Sequence, residues 1–198
     1  MDKDNDVQKK GEETVDWNRR YKEGFYSGAT EPHALLKQFW PTIPGRHVAD
    51  IAMGSGRDAL FLSEKGFFVT GLEGSVEAIK ISKETMALKN LFVWPVLGDA
   101  KALPYRKNSF DCIIIFYFLQ REAIDETKAL LKKGGIFIYE TYLKRQDYID
   151  RPRNPAHLLD DGELIGYFSG FELLFYEEII ENNGGKKKAV ARAVGRKR

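Results

Sequence analysis

Short apolar runs alternate with longer amphipathic segments along the middle of the chain. The apolar runs have the length of buried strands, and the intervening segments repeat apolar positions every three to four residues, as helices do. Strands are predicted at 47–52, 67–72, 92–97, 112–118 and 135–141. Helices are predicted at 57–65, 75–89 and 121–132. Strands that alternate with helices are typical of a parallel sheet with crossover helices.

Two further patterns complete the predicted sheet. The strand at 112–118 is apolar at every position, so we expect helices to cover both of its faces in the middle of the sheet. Near the C-terminus, strand-like runs at 171–176 and 188–194 flank an Asn-Asn-Gly-Gly turn at 182–185, which predicts an antiparallel hairpin. The predicted fold class is therefore α/β: a doubly wound, mostly parallel seven-stranded sheet of Rossmann-like form, with helices on both faces and a C-terminal antiparallel hairpin.

The chain is expected to consist of a tail and one domain. Residues 1–13 are polar and lack aromatic side chains, which predicts disorder. Further helical patterns begin near Thr14, follow Glu31-Pro32, and lie around 157–168. We expect a single domain over 14–198, made of a helical lid (14–45), a cofactor-binding core (46–141), and a substrate-side helix with the terminal hairpin (142–198).

Composition excludes several classes of protein. The longest apolar run, Cys112–Leu119, has eight residues, whereas a helix that spans a membrane needs about 20. The first residues are charged and lack the apolar stretch of a secretory signal, so we expect a cytoplasmic protein with no membrane partner. A single cysteine and three widely spaced histidines predict neither a disulfide scaffold nor a metal site.

A glycine loop is the sharpest chemical signal in the sequence. Residues 50–57 end the first predicted strand and open the first helix after it. Glycines let a ligand approach the backbone closely, and a helix N-terminus presents unpaired N–H groups. Glu73 ends the next strand, where its carboxylate can accept hydrogen bonds from ribose hydroxyls. The loop also satisfies the dinucleotide fingerprint through Gly54, Gly56 and Ala59, so by itself it leaves both kinds of cofactor open.

Two acidic residues favour a ligand that carries both an ammonium group and an adenine amino group. Asp50 directly precedes the loop, and its carboxylate would repel a pyrophosphate but suits a cation. Asp99 follows the third strand, where it can accept a hydrogen bond from an adenine amino group. The segments Leu103-Pro104-Tyr105 and Ser109-Phe110-Asp111 then precede the fourth strand.

Residues 46–141 with these motifs resemble the class I S-adenosylmethionine-dependent methyltransferases. Ala52, in place of a glycine, and Lys133, in place of a common proline, depart from the family pattern. The resemblance implies S-adenosyl-L-methionine as cofactor and S-adenosyl-L-homocysteine as product. The cofactor-binding residues that it implies are Asp50, Gly54, Gly56, Arg57, Glu73, Gly74, Asp99, Ala100 and Phe116. Arg57 is expected to pair either with the cofactor carboxylate or with a neighbouring acid, Asp58 or Glu64.

The flanking segments resemble the tellurite-resistance and thiopurine methyltransferase-like subgroup. The similarity lies in Trp17-x-x-Arg20-Tyr21, in Gly54-x-Gly56-Arg57 and in residues 154–159. We therefore expect a small-molecule acceptor, such as a thiol or a chalcogen oxyanion. No local His/Asp constellation is visible, which suits an anionic nucleophile that needs no general base. The candidate substrate-side residues are Trp17, Tyr21 and Tyr26 in a lid, Tyr117 and Phe118 after the fourth strand, and Tyr142, Arg151, Arg153 and His157.

Three other functions remain open at this stage. The last 13 residues hold seven basic residues and no acid, while the other 185 carry a net charge of −5. These basic residues could contact phosphates, as in an RNA- or protein-directed methyltransferase. Alternatively, they are the polar positions of the last strand. We do not expect a nucleic-acid partner. An NAD-dependent oxidoreductase would share the glycines, although no tyrosine is followed by a lysine four residues later, as in short-chain dehydrogenases. A catalytically inactive nucleotide-binding module is the third alternative.

Overall fold

Seven strands and six helices make up the described part of the chain. The computed structural model describes residues 16–28, 30–148, 154–183 and 186–198. The strands are β1 (His47–Ile51), β2 (Phe68–Glu73), β3 (Trp94–Leu97), β4 (Phe110–Phe116), β5 (Leu131–Tyr142), β6 (Phe171–Asn183) and β7 (Lys186–Lys197). The helices are α1 (Trp17–Lys22), α2 (Ala34–Phe39), α3 (Arg57–Glu64), α4 (Val76–Lys89), α5 (Ile124–Leu130) and α6 (Glu163–Tyr167).

The strands form one sheet in the order β3-β2-β1-β4-β5-β7-β6. Strands β1 to β5 pair in parallel, and β7 runs antiparallel to both β5 and β6. The strand order reverses next to β1, so the carboxyl ends of β1 and β4 flank the crevice where open α/β sheets bind ligands. The predicted fold class is confirmed.

Apolar layers cover both faces of the sheet. On one face, α2, α3 and α4 contribute Leu36, Leu62 and Met86 to a buried cluster. On the other face, α5 and α6 contribute Leu130 and Leu164. Strand β4 supplies buried isoleucines to both clusters, as expected for a central strand.

Two predicted helices differ from the structure. The helix predicted at 121–132 is a 3-10 turn followed by the short α5, and β5 starts at Leu131 because that residue already pairs with Phe110. The helical segment predicted at 157–168 divides into a 3-10 turn, Pro155–His157, and α6. Between them the Leu159 N–H donates to the Tyr142 carbonyl (2.9 Å), which holds the backbone extended.

Three basic residues of the last strand are engaged within the fold. Arg192 pairs with the carboxylates of Glu140, Glu177 and Glu181. Arg196 pairs with Glu172 at 3.3 Å, and Lys197 Nζ donates to the carbonyls of Lys128 (2.9 Å) and Leu131 (2.6 Å). These three side chains are thus polar positions of β7. The predicted tail at 1–13, Arg151, Arg153 and the glycines of the hairpin turn lie outside the described residues.

Candidate functional site

The glycine loop lies at the carboxyl end of β1. Gly54 and Gly56 have positive φ angles of 59° and 84°, which L side chains rarely adopt. A Cβ on Gly54 would lie 2.5 Å from the Tyr21 hydroxyl, and one on Gly56 would lie 2.7 Å from Ser82 Oγ. Both glycines are therefore required by backbone conformation and by the close approach of α1 and α4.

Glu73 links the glycine loop to the turn after β2. Its Oε2 accepts from the Gly54 N–H and its Oε1 from the Ser75 N–H, both at 2.8 Å. Burial raises the pKa of this carboxyl, while the backbone hydrogen bonds oppose the rise. The side chain thus lies at the end of β2, where the sequence places a ribose-binding acid.

The ends of β2 and β3 lie side by side. A Cβ on Gly74 would lie 3.7 Å from the Gly98 carbonyl oxygen. Asp99 is exposed just beyond it, with Oδ1 accepting from the Lys101 N–H at 2.9 Å, and Ala100 is buried. The structure therefore brings the predicted ribose and adenine acids to one edge of the sheet, although Asp99 also caps a turn.

Asp50 is buried with one oxygen unsatisfied. Its exposure is 3%, and Oδ2 has no hydrogen-bond partner within the described residues, while the Ala59 N–H donates to the carboxylate. Burial raises the pKa of Asp50 well above its ordinary value, and the charges of Asp58 and Glu73 raise it further. A buried carboxylate of this kind is unfavourable unless a cation pairs with it. A cationic group at this position would satisfy the Asp50 carboxylate, whereas a pyrophosphate would be repelled by it.

Helix α1 covers the loop. Asn18 Oδ1 accepts from Ser75 Oγ at 2.9 Å, and Tyr21 lies over Gly54 with its ring 4.8 Å from that of Tyr26. Burial and the charge of Glu73 raise the pKa of Tyr21. Trp17 is also predicted to share this lid, but its position differs from those of Tyr21 and Tyr26. The helix docks through residues 18 and 21, which leaves Trp17 on the outer face, 45% exposed and beside the Arg20 guanidinium.

The end of β4 forms the opposite wall. Phe116 stacks on the His33 imidazole, with centroids 4.1 Å apart and planes 10° from parallel. Tyr117 has a positive φ of 54°, and its hydroxyl donates to the buried Glu140 carboxylate at 2.5 Å. Its ring lies 4.6 Å from that of Tyr142. Phe116, Tyr117 and Tyr142 thus lie near one another at the end of β4.

Two predicted substrate-side residues lie elsewhere. Phe118 follows the backbone turn at Tyr117 and packs with Ala100 on the opposite apolar layer. His157 is exposed on its 3-10 turn. The Arg121 guanidinium donates a hydrogen bond to the Ala156 carbonyl of the same turn. Neither side chain joins the group around Tyr117, so their assignment to the acceptor side is not supported by the geometry.

Sequence reasoning missed a histidine–carboxylate pair. The His33 N–H donates to Asp58 Oδ1 at 2.8 Å, and His33 Nδ1 lies 2.7 Å from Asp58 Oδ2. Arg57 lies 3.8 Å from Asp58 and contacts His33 Nε2. No sequence pattern links His33 to residues 24 and 25 positions later. In the described part of the chain, no cluster of three or more His, Cys, Asp or Glu side chains could hold a metal ion, and no helix is long and apolar enough to span a membrane.

Comparisons with known proteins bear on the family and the fold of the chain. The family model described as "Methyltransferase domain" matches residues 48–135. The chain is 27% identical over 167 residues to Hemagglutinin 1 of Eikenella corrodens (77% of this chain, 53% of the relative). It is 31% identical over 98 residues to demethylmenaquinone methyltransferase of Renibacterium salmoninarum (47% of this chain, 40% of the relative).

The TehB protein of Haemophilus influenzae is similar in both sequence and fold. The sequence of this probable S-adenosyl-L-methionine-dependent methyltransferase is 28% identical over 138 residues, covering 66% of this chain and 48% of the relative. Its crystal structure superimposes with a TM-score of 0.76 at 23% identity, over 92% of this chain and 67% of that one. The chain spans about half the length of these curated relatives. The methyltransferase domain over residues 48–135, the TehB relative and the matching fold together indicate a class I S-adenosylmethionine-dependent methyltransferase similar to TehB.

Proposed function

We propose that this chain binds S-adenosylmethionine in the crevice above β1 and transfers its methyl group to a small-molecule acceptor, either a thiol or a chalcogen oxyanion. The observation that carries the proposal is the buried, unpaired Oδ2 of Asp50 beside the glycine loop. The carboxyl groups of Asp50, Asp58 and Glu73 are all buried around this loop. Their combined negative potential suits a ligand that carries both an ammonium and a sulfonium.

Each predicted cofactor residue would contact the part of the cofactor that its position in the crevice favours. Asp50 would accept from the ammonium and Arg57 would pair with the carboxylate of the methionine portion. Glu73 would accept from the ribose hydroxyls and Asp99 from the adenine amino group. Gly54, Gly56, Gly74, Ala100 and Phe116 would line the crevice between these groups. When bound, the cofactor supplies an electrophilic methyl group on a sulfonium.

The remaining task of the protein is to align the acceptor and exclude water. Tyr21 and Tyr26 cover the glycine loop, and Tyr117 and Tyr142 form the wall at the end of β4. An in-line displacement gains most of its rate from such alignment. A small acceptor agrees with the name of the demethylmenaquinone methyltransferase relative. The ion pairs of Arg192 and Arg196 remove two of the positive charges that favoured an RNA-directed enzyme.

Binding of the cofactor provides the first test. We expect S-adenosylmethionine and S-adenosylhomocysteine, but not NAD, to raise the melting temperature; at 100 times its dissociation constant a ligand stabilises by about 2.7 kcal/mol. Glu73→Ala and Asp99→Ala should weaken the shift. Asp125→Asn is the matched control, because the Asp125 side chain is 92% exposed on α5. A shift with NAD alone, or with none of the ligands, would overturn the proposal.

Product formation provides the second test. Purified protein with S-adenosylmethionine and a panel of thiols, tellurite and selenite should release S-adenosylhomocysteine with at least one acceptor. Release with RNA or protein substrates, and with none of the small molecules, would overturn the acceptor class while leaving the cofactor assignment intact.

A further inference from the structure

His33 is held in place by one carboxylate at two points. Asp58 Oδ1 accepts from its backbone N–H at 2.8 Å, and Asp58 Oδ2 lies 2.7 Å from ring Nδ1. The imidazole and the carboxylate are only 10% and 7% exposed. A carboxylate beside one nitrogen of an imidazole fixes the ring orientation and directs the other nitrogen outward, as in proton-transfer sites.

The imidazole lies where the reacting groups should meet. Asp58 is in the first turn of α3, directly after the glycine loop, and the His33 ring stacks on Phe116 at the carboxyl end of β4. The Tyr117 ring centroid is 5.1 Å away. His33 therefore bridges the predicted methionine end of the cofactor site and the aromatic acceptor wall.

The hydrogen-bond network assigns the tautomer. Nδ1–H donates to Asp58, so Nε2 carries the lone pair, and the Arg57 guanidinium donates to it. The charged groups that contact the ring are Arg57 and Asp58 from α3, and the Tyr117 ring lies beside it with its hydroxyl directed to Glu140. Nε2 becomes free to accept a proton when Arg57 turns to another anion, and the carboxylate of the methionine portion is the anion that the proposed function brings to it.

We propose that His33 is the general base of the methyl transfer, that Asp58 is its positioning residue, and that the acceptor is therefore a thiol of ordinary acidity rather than an oxyanion. This inference rests on the proposed function. His33 Nε2 takes the proton of the S–H group, and the sulfur electron pair forms the new S–CH₃ bond. The bond between the methyl group and the sulfonium breaks, its electron pair stays on the cofactor sulfur, and S-adenosylhomocysteine leaves as a neutral thioether.

Methyl transfer to thiols of different acidity distinguishes a general-base role of His33 from a purely structural role. With alkyl thiols, whose pKa is about 8.5 like that of cysteine, we expect His33→Gln to lower kcat at neutral pH by about 100-fold, a typical general-base contribution. With aromatic thiols that are already ionised at neutral pH, kcat should be unchanged within about threefold, because no base is needed. Raising the pH above the pKa of the alkyl thiol should restore the rate of the variant. Asp58→Asn should show the same selectivity.

The chain offers a matched control. His47 also faces a carboxylate, with Nδ1 3.5 Å from Asp111, but it lies at the opposite end of β1 and its side chain is 60% exposed. His47→Gln should not alter the ratio of alkyl to aromatic thiol rates. An equal loss of rate with every thiol in His33→Gln, or no loss with any, would overturn the proposal.

A measurement without turnover tests the same arrangement. NMR of isotopically labelled histidine should show His33 protonated at Nδ1 and free of a proton at Nε2. Saturation with S-adenosylhomocysteine should shift the Nε2 resonance as Arg57 leaves it, and Arg57→Ala should show the shifted signal without ligand. An unmoved resonance at saturation would overturn the inference. Failure to bind S-adenosylhomocysteine would instead overturn the proposed function, and calorimetry distinguishes the two results.

Discussion

Two residues at the glycine loop are unfavourable for the stability of the folded chain, one through burial of charge and one through its backbone conformation. Asp50 keeps a buried carboxylate without a full set of partners, and Ala52 has a positive φ of 59° where the family pattern has a glycine. Strain of this kind concentrates at ligand sites, where the rest of the fold stabilises it. Substitution of Asp50 should therefore affect stability and binding in opposite directions, and substitution of Ala52 by glycine should raise stability.

Asp50→Asn should stabilise the protein and weaken cofactor binding. A carboxyl whose pKa is raised on folding destabilises the folded chain once the pH exceeds its ordinary pKa of 3.8. Removing that charge should raise the melting temperature at pH 7 by about 2–4 °C, the shift that 1 kcal/mol produces in a chain of this size. Affinity for S-adenosylmethionine, measured by calorimetry, should fall about 10- to 100-fold with the loss of a charged hydrogen bond. Unchanged affinity would contradict the assignment of Asp50 to the ammonium.

Ala52→Gly should raise the free energy of unfolding by about 1 kcal/mol, since glycine adopts the left-handed conformation without steric strain. Chemical denaturation measures the change. Asn108→Gly is a suitable control: Asn108 has a similar φ of 54°, but asparagine tolerates this region and the gain should be only a few tenths of a kcal/mol. Equal effects of the two substitutions would argue against strain at Ala52.

At the scale of elements, α1 closes the crevice through few contacts. The helix has six residues and none of them is fully buried. Its attachment to α4 depends on Asn18, which accepts from Ser75 Oγ and from the Glu77 N–H. A short helix attached in this way is expected to open at low energetic cost.

Asn18→Ala should therefore loosen the lid without unfolding the domain. Loss of these hydrogen bonds should weaken S-adenosylmethionine binding by about 5- to 10-fold, which corresponds to roughly 1 kcal/mol. Proteolysis within residues 16–28 should become faster, and ligand should suppress it. Arg19→Ala is the control, because the Arg19 side chain is 70% exposed and pairs with the exposed Glu23, which directly follows its own helix. A lid that is equally protected in both variants would refute this role of Asn18.

At the scale of the whole molecule, one ion pair joins the end of β4 to the C-terminal third. The Arg121 guanidinium binds both carboxylate oxygens of Glu163, at 2.7 and 2.9 Å, and the carbonyls of Ala156 and Leu158. Burial alone would raise the pKa of Glu163, but hydrogen bonds from Arg121 and Tyr167 lower it to about 2.

This pair should make stability acid-labile. A carboxyl with a lowered pKa stabilises the fold above its ordinary pKa of 4.5, and that contribution disappears as the pH falls towards 2. Between pH 5 and pH 3 the free energy of unfolding of the wild type should fall by about 1 kcal/mol more than that of Glu163→Gln, after allowance for solvent screening of this partly exposed pair. Urea unfolding at several pH values measures the difference, and parallel pH profiles would contradict the prediction.

Local patterns were sufficient to predict the sheet. The apolar run of β4 predicted a central strand, and Glu73 and Asp99 lie at strand ends that are visible in the sequence, while their roles toward a cofactor stay predictions. Helical spacing places Trp17 near Tyr21 but does not reveal which face of the helix docks. That choice depends on Asn18 finding partners on α4, which are 57 and 59 residues away.

By itself, the sequence determined the order of strands and helices, the glycine loop and the acids at strand ends, because hydrophobic periodicity and turn chemistry act between neighbours along the chain. Only the tertiary structure paired His33 with Asp58, directed Tyr117 to Glu140, and bound Arg192 of β7 to acids of β5 and β6. Such contacts arise when the sheet and its covering helices bring together polar groups that are far apart in sequence. A buried polar group takes the partner that lies within hydrogen-bond distance after packing, whatever its position in the chain.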